Sequence, residues 1–377
     1  MLSVLKKIRG SVDWVLFVPA LLLTIAGIIT MNSFVGENNF AERQLIWLLL
    51  STLVFFVASL VDWRFLRRTK VIVFMFVASS LVLSFLFVLG SVFKGAKSWF
   101  NLGLFAFQPV DFAKMVIIFV LAKYFSRRHI EIRNVRHILV SGLYAFITFT
   151  LIFLQPDFGS AIIIFFIWFG MVLFSGISKK HLALVFMVGI VSFAGLWLFV
   201  FKDYQKARIV SFINPLTDLQ GTGYNAYQST IAVGSGGLWG KGVGLGSQSK
   251  LEFLPEYETD FIFAAFAEEW GLVGSLIIFV LYGTVFYKIL DISKKASTNF
   301  EVLFGLGFST LLICHFVIHV GMNIGIMPVT GITLPFMSYG GSHLLAEFFG
   351  LGIISAMRSY AMAAHKDVMK NELIDVS

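Results

Sequence analysis

Cysteine is nearly missing from this chain: Cys314 stands alone among 377 residues. It lies inside an apolar run, so no intrachain disulfide holds the fold. Charge is sparse as well. Asp, Glu, Lys and Arg make up 13% of the residues, where a soluble domain carries about 25%. No low-complexity tract, long linker or soluble domain interrupts the sequence. The alternation of apolar and polar residues that marks strands is lacking, which argues against an outer-membrane barrel.

What remains is apolar. Hydrophobic residues are 58% of the chain and the mean hydropathy is +0.87. Repeated apolar runs of about 20 residues mark a helical, polytopic membrane protein, because backbone groups in lipid must be satisfied within each segment. Ten spans are predicted, near 13–34, 45–61, 70–90, 109–126, 137–155, 158–176, 181–201, 260–288, 302–325 and 339–360. The first follows Lys6, Lys7 and Arg9. It is longer than the ~7–15 apolar residues of a signal peptide and reads as a retained helix. The single membrane domain therefore covers 1–377, with one large loop at 202–260 between spans seven and eight.

The net charge of +8 raises the question of a nucleic-acid partner. Its distribution answers no. Basic residues gather in alternate short loops: Arg64, Arg67, Arg68 and Lys70; then Lys123, Arg127, Arg128, Arg133 and Arg136. Lys179 and Lys180, then Lys288, Lys294 and Lys295, and the tail with Arg358, Lys366 and Lys370 continue the series. The positive-inside rule makes that side cytoplasmic and puts both termini there.

The opposite side holds the glycines, prolines, acids and aromatics. Gly95-Ala96-Lys97-Ser98-Trp99 precedes Gln108-Pro109-Val110-Asp111. Pro109 suits a first helical turn, and Asp111 and Lys114 are three apart and can pair. The bland reading is a helix-start acid with a snorkelling lysine; the functional one is an ion pair lining a polar cavity. Gln155-Pro156-Asp157-Phe158 is a tight turn that also suits a cap. The two Gln-Pro…Asp-Phe segments hint at an internal repeat. In the large loop, Arg208, Asn214-Pro215, Gln228-Ser229, Gly234-Ser-Gly-Gly237 and Gly240-Lys241 follow one another. The glycines lack the spacing of a nucleotide-binding P-loop. They read either as tight packing or as a backbone nest for a pyrophosphate, with Lys241 or Arg208 nearby.

Glu256, Glu258 and Asp260 crowd the start of the eighth span. One cap needs one residue, so three acids call for more than capping. Asp260 reads as a general base or as a ligand to a divalent cation such as Mg2+ or Mn2+; the residues do not choose. Glu268 and Glu269 lie about 12 Å further along that helix and read as structural. His315 and His319 have metal spacing without a zincin glutamate, so interhelical hydrogen bonds are the simpler reading. The Gly/Pro-rich turn from Asn323 to Gly341, with Pro335 and Ser338, closes the chamber from the far side.

Taken together these motifs resemble the SEDS family of cell-wall polymerases: Gln108-Pro…Lys114, Gln155-Pro-Asp-Phe-Gly, Arg208…Asn214-Pro215, Gln228-Ser229, Gly234-Ser-Gly-Gly, Leu254-Pro-Glu…Thr259-Asp260-Phe-Ile-Phe, Ala267-Glu-Glu and Leu334-Pro-Phe…Ser338-Tyr-Gly-Gly. The resemblance covers nearly the whole chain, in family order. It implies about ten spans in the bacterial inner membrane and a peptidoglycan glycosyltransferase that polymerises lipid II at the outer face. It implies a class B penicillin-binding protein as transpeptidase partner, polyprenyl-pyrophosphate-linked glycan as substrate, and Asp260 as the catalytic residue. The expected cavity residues are Lys97, Trp99, Asp111, Lys114, Asp157, Arg208, Gln228, Ser229, Lys241, Glu256, Glu258, Thr259 and Ser338. The elongation (RodA-like) branch, with its elongation machinery, fits better than the division (FtsW-like) branch. Competing readings are a flippase for lipid-linked precursors and a non-enzymatic scaffold. The chain departs from the family where Asp111 replaces a glutamate, Tyr257-Glu258 replaces a His-Thr run, and His343 replaces a serine.

Overall fold

The computed structural model describes residues 12–33, 39–93, 96–101, 106–127, 135–176, 179–201, 203–213, 222–250, 253–254 and 256–374. Lys6, Lys7, Arg9, Gly95, Arg128, Arg133, Asn214, Pro215 and Pro255 lie outside the described residues. The chain begins with α1 (Trp14–Asn32), α2 (Phe40–Leu60) and α3 (Thr69–Leu89), joined by a 3-10 turn at Trp63–Arg67. A small antiparallel sheet follows: β1 (Ser91–Phe93), β2 (Ala96–Asn101) and β3 (Ala106–Phe107). Then come α4 (Pro109–Ser126), α5 (Val135–Phe153), α6 (Phe158–Phe174) and α7 (Lys179–Phe199). The large polar segment carries α8 (Asp203–Ile213), α9 (Thr222–Ser235) and α10 (Ser247–Lys250). The chain closes with α11 (Ile262–Lys294), α12 (Asn299–Asn323) and α13 (Gly341–Ile374).

The ten expected spans fall on α1–α7 and α11–α13. Seven of these helices are long and apolar enough to cross a membrane, and α6 is a shorter apolar helix. α4 differs because Asp111, Lys114 and Lys123 all lie within it. The fold is thus an all-helical, multi-pass membrane bundle. Two features were not legible in the sequence. The three-stranded sheet between α3 and α4 is too short to show alternation. The 202–260 stretch, read as loop, is largely helical where described.

α11 is broken. Gly271, at φ 65° and ψ −163°, interrupts it between a buried half-helix and the long span. The break admits the segment after α9: Leu272 N–H and Val273 N–H donate to the carbonyls of Gly237 and Leu238 at 2.9 and 3.1 Å. In return Lys241 N–H and Gly242 N–H donate to the carbonyls of Glu268 and Glu269 at 2.9 and 3.0 Å. A side chain at 271 would start 2.3 Å from Gly240 N, so only glycine fits both the left-handed backbone and the approach.

Packing holds the bundle, since lipid supplies no hydrophobic drive between helices. Phe17 meets Phe55 and Phe348 with ring centroids 4.8 and 6.2 Å apart, tying α1, α2 and α13. Phe119 stacks on Phe304 at 4.8 Å between α4 and α12. At one end of the bundle, buried Asp13 accepts from Arg358 at 2.8 Å and faces Lys288 at 3.4 Å. Arg67 pairs there with Glu301. Between α12 and α13 the chain dips back into the bundle as a non-helical strap, 328–340. It passes so close to α1 that Met337 O lies 2.2 Å from where a side chain at Gly27 would begin. Irregular backbone at this depth survives because helices surround it.

Candidate active site

The end of the bundle opposite Asp13 carries the turn 256–261. Amides of Thr259, Asp260 and Phe261 all donate to Glu256 O, at 3.1, 3.0 and 3.2 Å. Glu256 takes φ 55° to allow this, a left-handed conformation that costs a non-glycine residue about 1–2 kcal/mol. The acids do not cap α11: Phe261 is the N-cap and makes no side-chain cap bond. Asn323, at the end of α12, does the fastening instead. Its Nδ2 donates to Asp260 O at 3.0 Å and to His319 O at 2.8 Å, and its Oδ1 accepts from Ala264 N–H at 3.0 Å. Ser229 on α9 donates to Asn323 O at 2.9 Å.

The strap holds the same turn from the other side. Ser338 Oγ donates to Thr259 O and accepts from Leu334 N–H, each at 2.8 Å. Tyr339 N–H donates to Glu258 O at 2.8 Å. Gly331, at φ 74°, lies against the carboxylate, with Asp260 Oδ2 3.4 Å from the position a Cβ would take. Asp260 is half-buried there.

Along α12 from Asn323, His319 and His315 each bind the strap: His319 Nδ1 to Ile332 O at 2.7 Å and His315 Nδ1 to Thr333 O at 3.2 Å. His315 Nε2 lies 3.5 Å from Lys114 Nζ, which donates to Asp111 at 3.1 Å. His343 Nδ1 is 3.4 Å from the same Asp111 oxygen, and its ring stacks on His315 at 5.1 Å. The ion pair is thus about two helical turns, roughly 12 Å, from the Asp260 turn. One strap connects them. It is pinned at Phe336, where φ is 62° and the amide donates to Glu347 Oε2 at 2.7 Å. A charge-assisted bond of about 1.5–3 kcal/mol offsets the left-handed strain there.

The remaining expected residues divide. Asp157 joins the site through Gln108, whose Nε2 donates to its carboxylate at 3.3 Å, while Gln108 N–H donates to Ser342 Oγ at 3.0 Å. The two Gln-Pro segments thereby meet. Arg208 lines a cavity of ≈150 Å³ with Ser211, Tyr227, Thr230 and the strap's first residues up to Val329, two short of Gly331. Gln228 is half-buried on α9. Trp99 is half-buried on β2, and Lys97 is described there in its backbone only. Ser338, Ser229, Thr259 and Glu258 serve the turn through the bonds given above, and Glu256 anchors it.

Lys241 is a correction. It does not join the Asp260 turn but donates to buried Glu268 at 2.7 Å and to Ser247 at 2.9 Å. Glu268 also accepts from Ser247 Oγ and Gln248 N–H, both at 3.1 Å. Glu269 accepts from Gly244 N–H at 2.9 Å and from Ser33. This cluster closes the α11 break. Among the described residues no group of three or more His, Cys, Asp or Glu is set to hold a metal ion.

A buried ion pair, three histidines and a strapped carboxylate inside a helical bundle define a polytopic membrane protein built around a polar chamber. A sequence model of the FtsW/RodA/SpoVE family, described as cell cycle proteins, matches residues 9–362. The chain belongs to that family, the SEDS proteins. Peptidoglycan glycosyltransferase MrdB of Escherichia coli is 37% identical over 279 residues, 74% of this chain and 75% of the relative. Stage V sporulation protein E of Bacillus subtilis is 33% identical over 366 residues, 94% and 98% of the two chains. Among solved structures, a chain of a peptidoglycan synthase complex coordinating polymerization and crosslinking superposes with TM-score 0.80 at 28% identity, covering 93% and 98%. Rod shape determining protein RodA of Thermus thermophilus gives TM-score 0.69 at 28% identity, covering 92% and 97%.

Proposed function

We propose that this protein is a peptidoglycan glycosyltransferase of the elongation type, with Asp260 as its general base. It polymerises lipid II at the outer face of the bacterial inner membrane. The basic loops, Lys288 and Lys295 among them, belong to the Asp13 end; by the positive-inside rule that end and both termini are cytoplasmic. The Asp260 end then opens outside, where no nucleotide donor is available and the sugar must arrive activated on a polyprenyl pyrophosphate.

The observation that carries the reading is the Asp260 turn, fastened by Asn323, Ser338 and Tyr339. A base must be held within hydrogen-bond reach of the proton it takes. In the reaction the acceptor sugar hydroxyl attacks the anomeric carbon of the growing chain. Its proton passes to Asp260, the C–O bond to pyrophosphate breaks, and polyprenyl pyrophosphate leaves with the electron pair. Arg208, which lines one cavity with Ser211, Tyr227 and Thr230, offsets the charge on the leaving group. Lys114 and Asp111 keep the chamber polar, and Trp99 and Lys97 on β2 border the sugar path. A class B penicillin-binding protein is the partner that cross-links the product, a reading supported by the likeness to a synthase complex.

The test is direct. Purified protein given lipid II yields glycan strands on gels, and Asp260→Ala yields none while staying monodisperse. A variant that still polymerises removes the assignment. The α11 break favours one rival, a lipid-linked precursor transporter, since broken helices suit transporters. It predicts flipping in proteoliposomes and no polymer.

A further inference from the structure

Glu347 and His343 have no part in the reaction drawn above. They sit one turn apart on α13, 3% and 12% exposed. The two oxygens of Glu347 face different partners: Oε2 accepts from Phe336 N–H at 2.7 Å, and Oε1 lies 2.8 Å from His343 Nε2. The other ring nitrogen of His343 lies 3.4 Å from Asp111. A neutral imidazole has one N–H to offer and an imidazolium two; here both nitrogens face carboxylates. With His343 protonated, Lys114 and His343 balance Asp111 and Glu347. Buried ions persist only when paired in this way. His315 stacks on His343 and faces Lys114. Further along the strap, His319 binds Ile332 O and Tyr282 donates to Pro335 O.

The strap links this cluster to the Asp260 turn. Phe336 stands two residues from Ser338, which grips Thr259 O, and five from Gly331, which lies against the Asp260 carboxylate. Without an acceptor for its amide, Phe336 has little reason to stay left-handed at φ 62°. We propose that Glu347, charge-balanced by His343, is a positioning residue for Asp260: it fixes the strap at Phe336, and the strap fixes the catalytic turn. This rests on Asp260 being the base of the polymerisation. It also explains how the chain works with the shorter Asp111, since the imidazole of His343 bridges from α13 to α4.

The test measures lipid II polymerisation by the full chain with its transpeptidase partner, together with amide hydrogen exchange over 331–339. Glu347→Ala is expected to lower kcat about 10- to 100-fold, leave KM for lipid II within about twofold, and speed exchange in the strap. Glu347→Gln keeps an oxygen for Phe336 N–H and recovers most of the rate. His343→Asn is slower throughout and exchanges faster over 331–339. The proposal is overturned if Glu347→Ala keeps its kcat, if Ala and Gln fall alike, or if strap exchange is unchanged. Where Glu347→Ala does not fold, a His343→Asn protein whose rate and strap exchange match the wild type overturns it. An Asp260→Ala enzyme that still polymerises sinks the underlying reading instead, and the exchange result then still reports on the hold of Glu347 over the strap.

Discussion

Asp260 is placed by its backbone. Its carbonyl accepts from Asn323, and the neighbouring carbonyls of Glu258 and Thr259 accept from the strap. The backbone bonds on both sides fix where the side chain of residue 260 starts. Asn323→Ala would strand the buried Ala264 amide and the Asp260 carbonyl together. We expect a loss of about 1–3 kcal/mol of stability, read as a lower melting temperature in detergent, with reduced turnover. Gly331→Ala forces a left-handed alanine against the carboxylate; about 1–2 kcal/mol is expected, with a larger fall in kcat than in stability. The acidic turn at 256–260 stood out because three acids in five positions exceed the needs of a cap. Asn323 did not, because an asparagine at a helix end reads as an ordinary stop signal. Its hydrogen bonds join α9, α11 and α12, which no local pattern reveals.

At the scale of elements, α11 and the strap set the site. The sequence showed one apolar run from Phe261 onward, and a 3.6-residue period survives a single glycine, so the break at Gly271 was hidden. So was the destination of Lys241. A lysine in a glycine-rich loop suggests phosphate, but the break in α11 leaves Glu268 buried and in need of a cation. Glu268→Gln is expected to lower stability by about 1–3 kcal/mol, below the full cost of orphaning a buried ion, because Lys241 is 30% exposed. The folded fraction should keep its specific activity within about twofold, since the cluster lies some 12 Å along the helix from Asp260. A loss of activity without loss of stability would return Lys241 to the chemistry. The Asp111–Lys114 pair was readable from spacing alone. The addition of His343 and Glu347 was not, because α13 reaches α4 only in three dimensions.

For the whole molecule, the apolar helices were legible from hydropathy, which is written locally along the chain; sidedness is what the basic loops lead us to expect. The convergence of Gln108, Asp157, Ser338 and Asp260 on one end is a property of packing. Sidedness can be measured: with Cys314→Ala as background, an impermeant maleimide should label Trp239→Cys on intact spheroplasts and Lys295→Cys only after lysis. Trp239 is 80% exposed, so labelling is not limited by access. The account as a whole turns on which group meets the acceptor hydroxyl. A structure of the inactive Asp260→Asn protein bound to lipid II tests this most directly. The account predicts the residue-260 side chain within about 3 Å of that hydroxyl, with the pyrophosphate toward Arg208. A substrate whose reacting sugar lies at the Lys241–Glu268 cluster, or whose hydroxyl meets another acid, would contradict it.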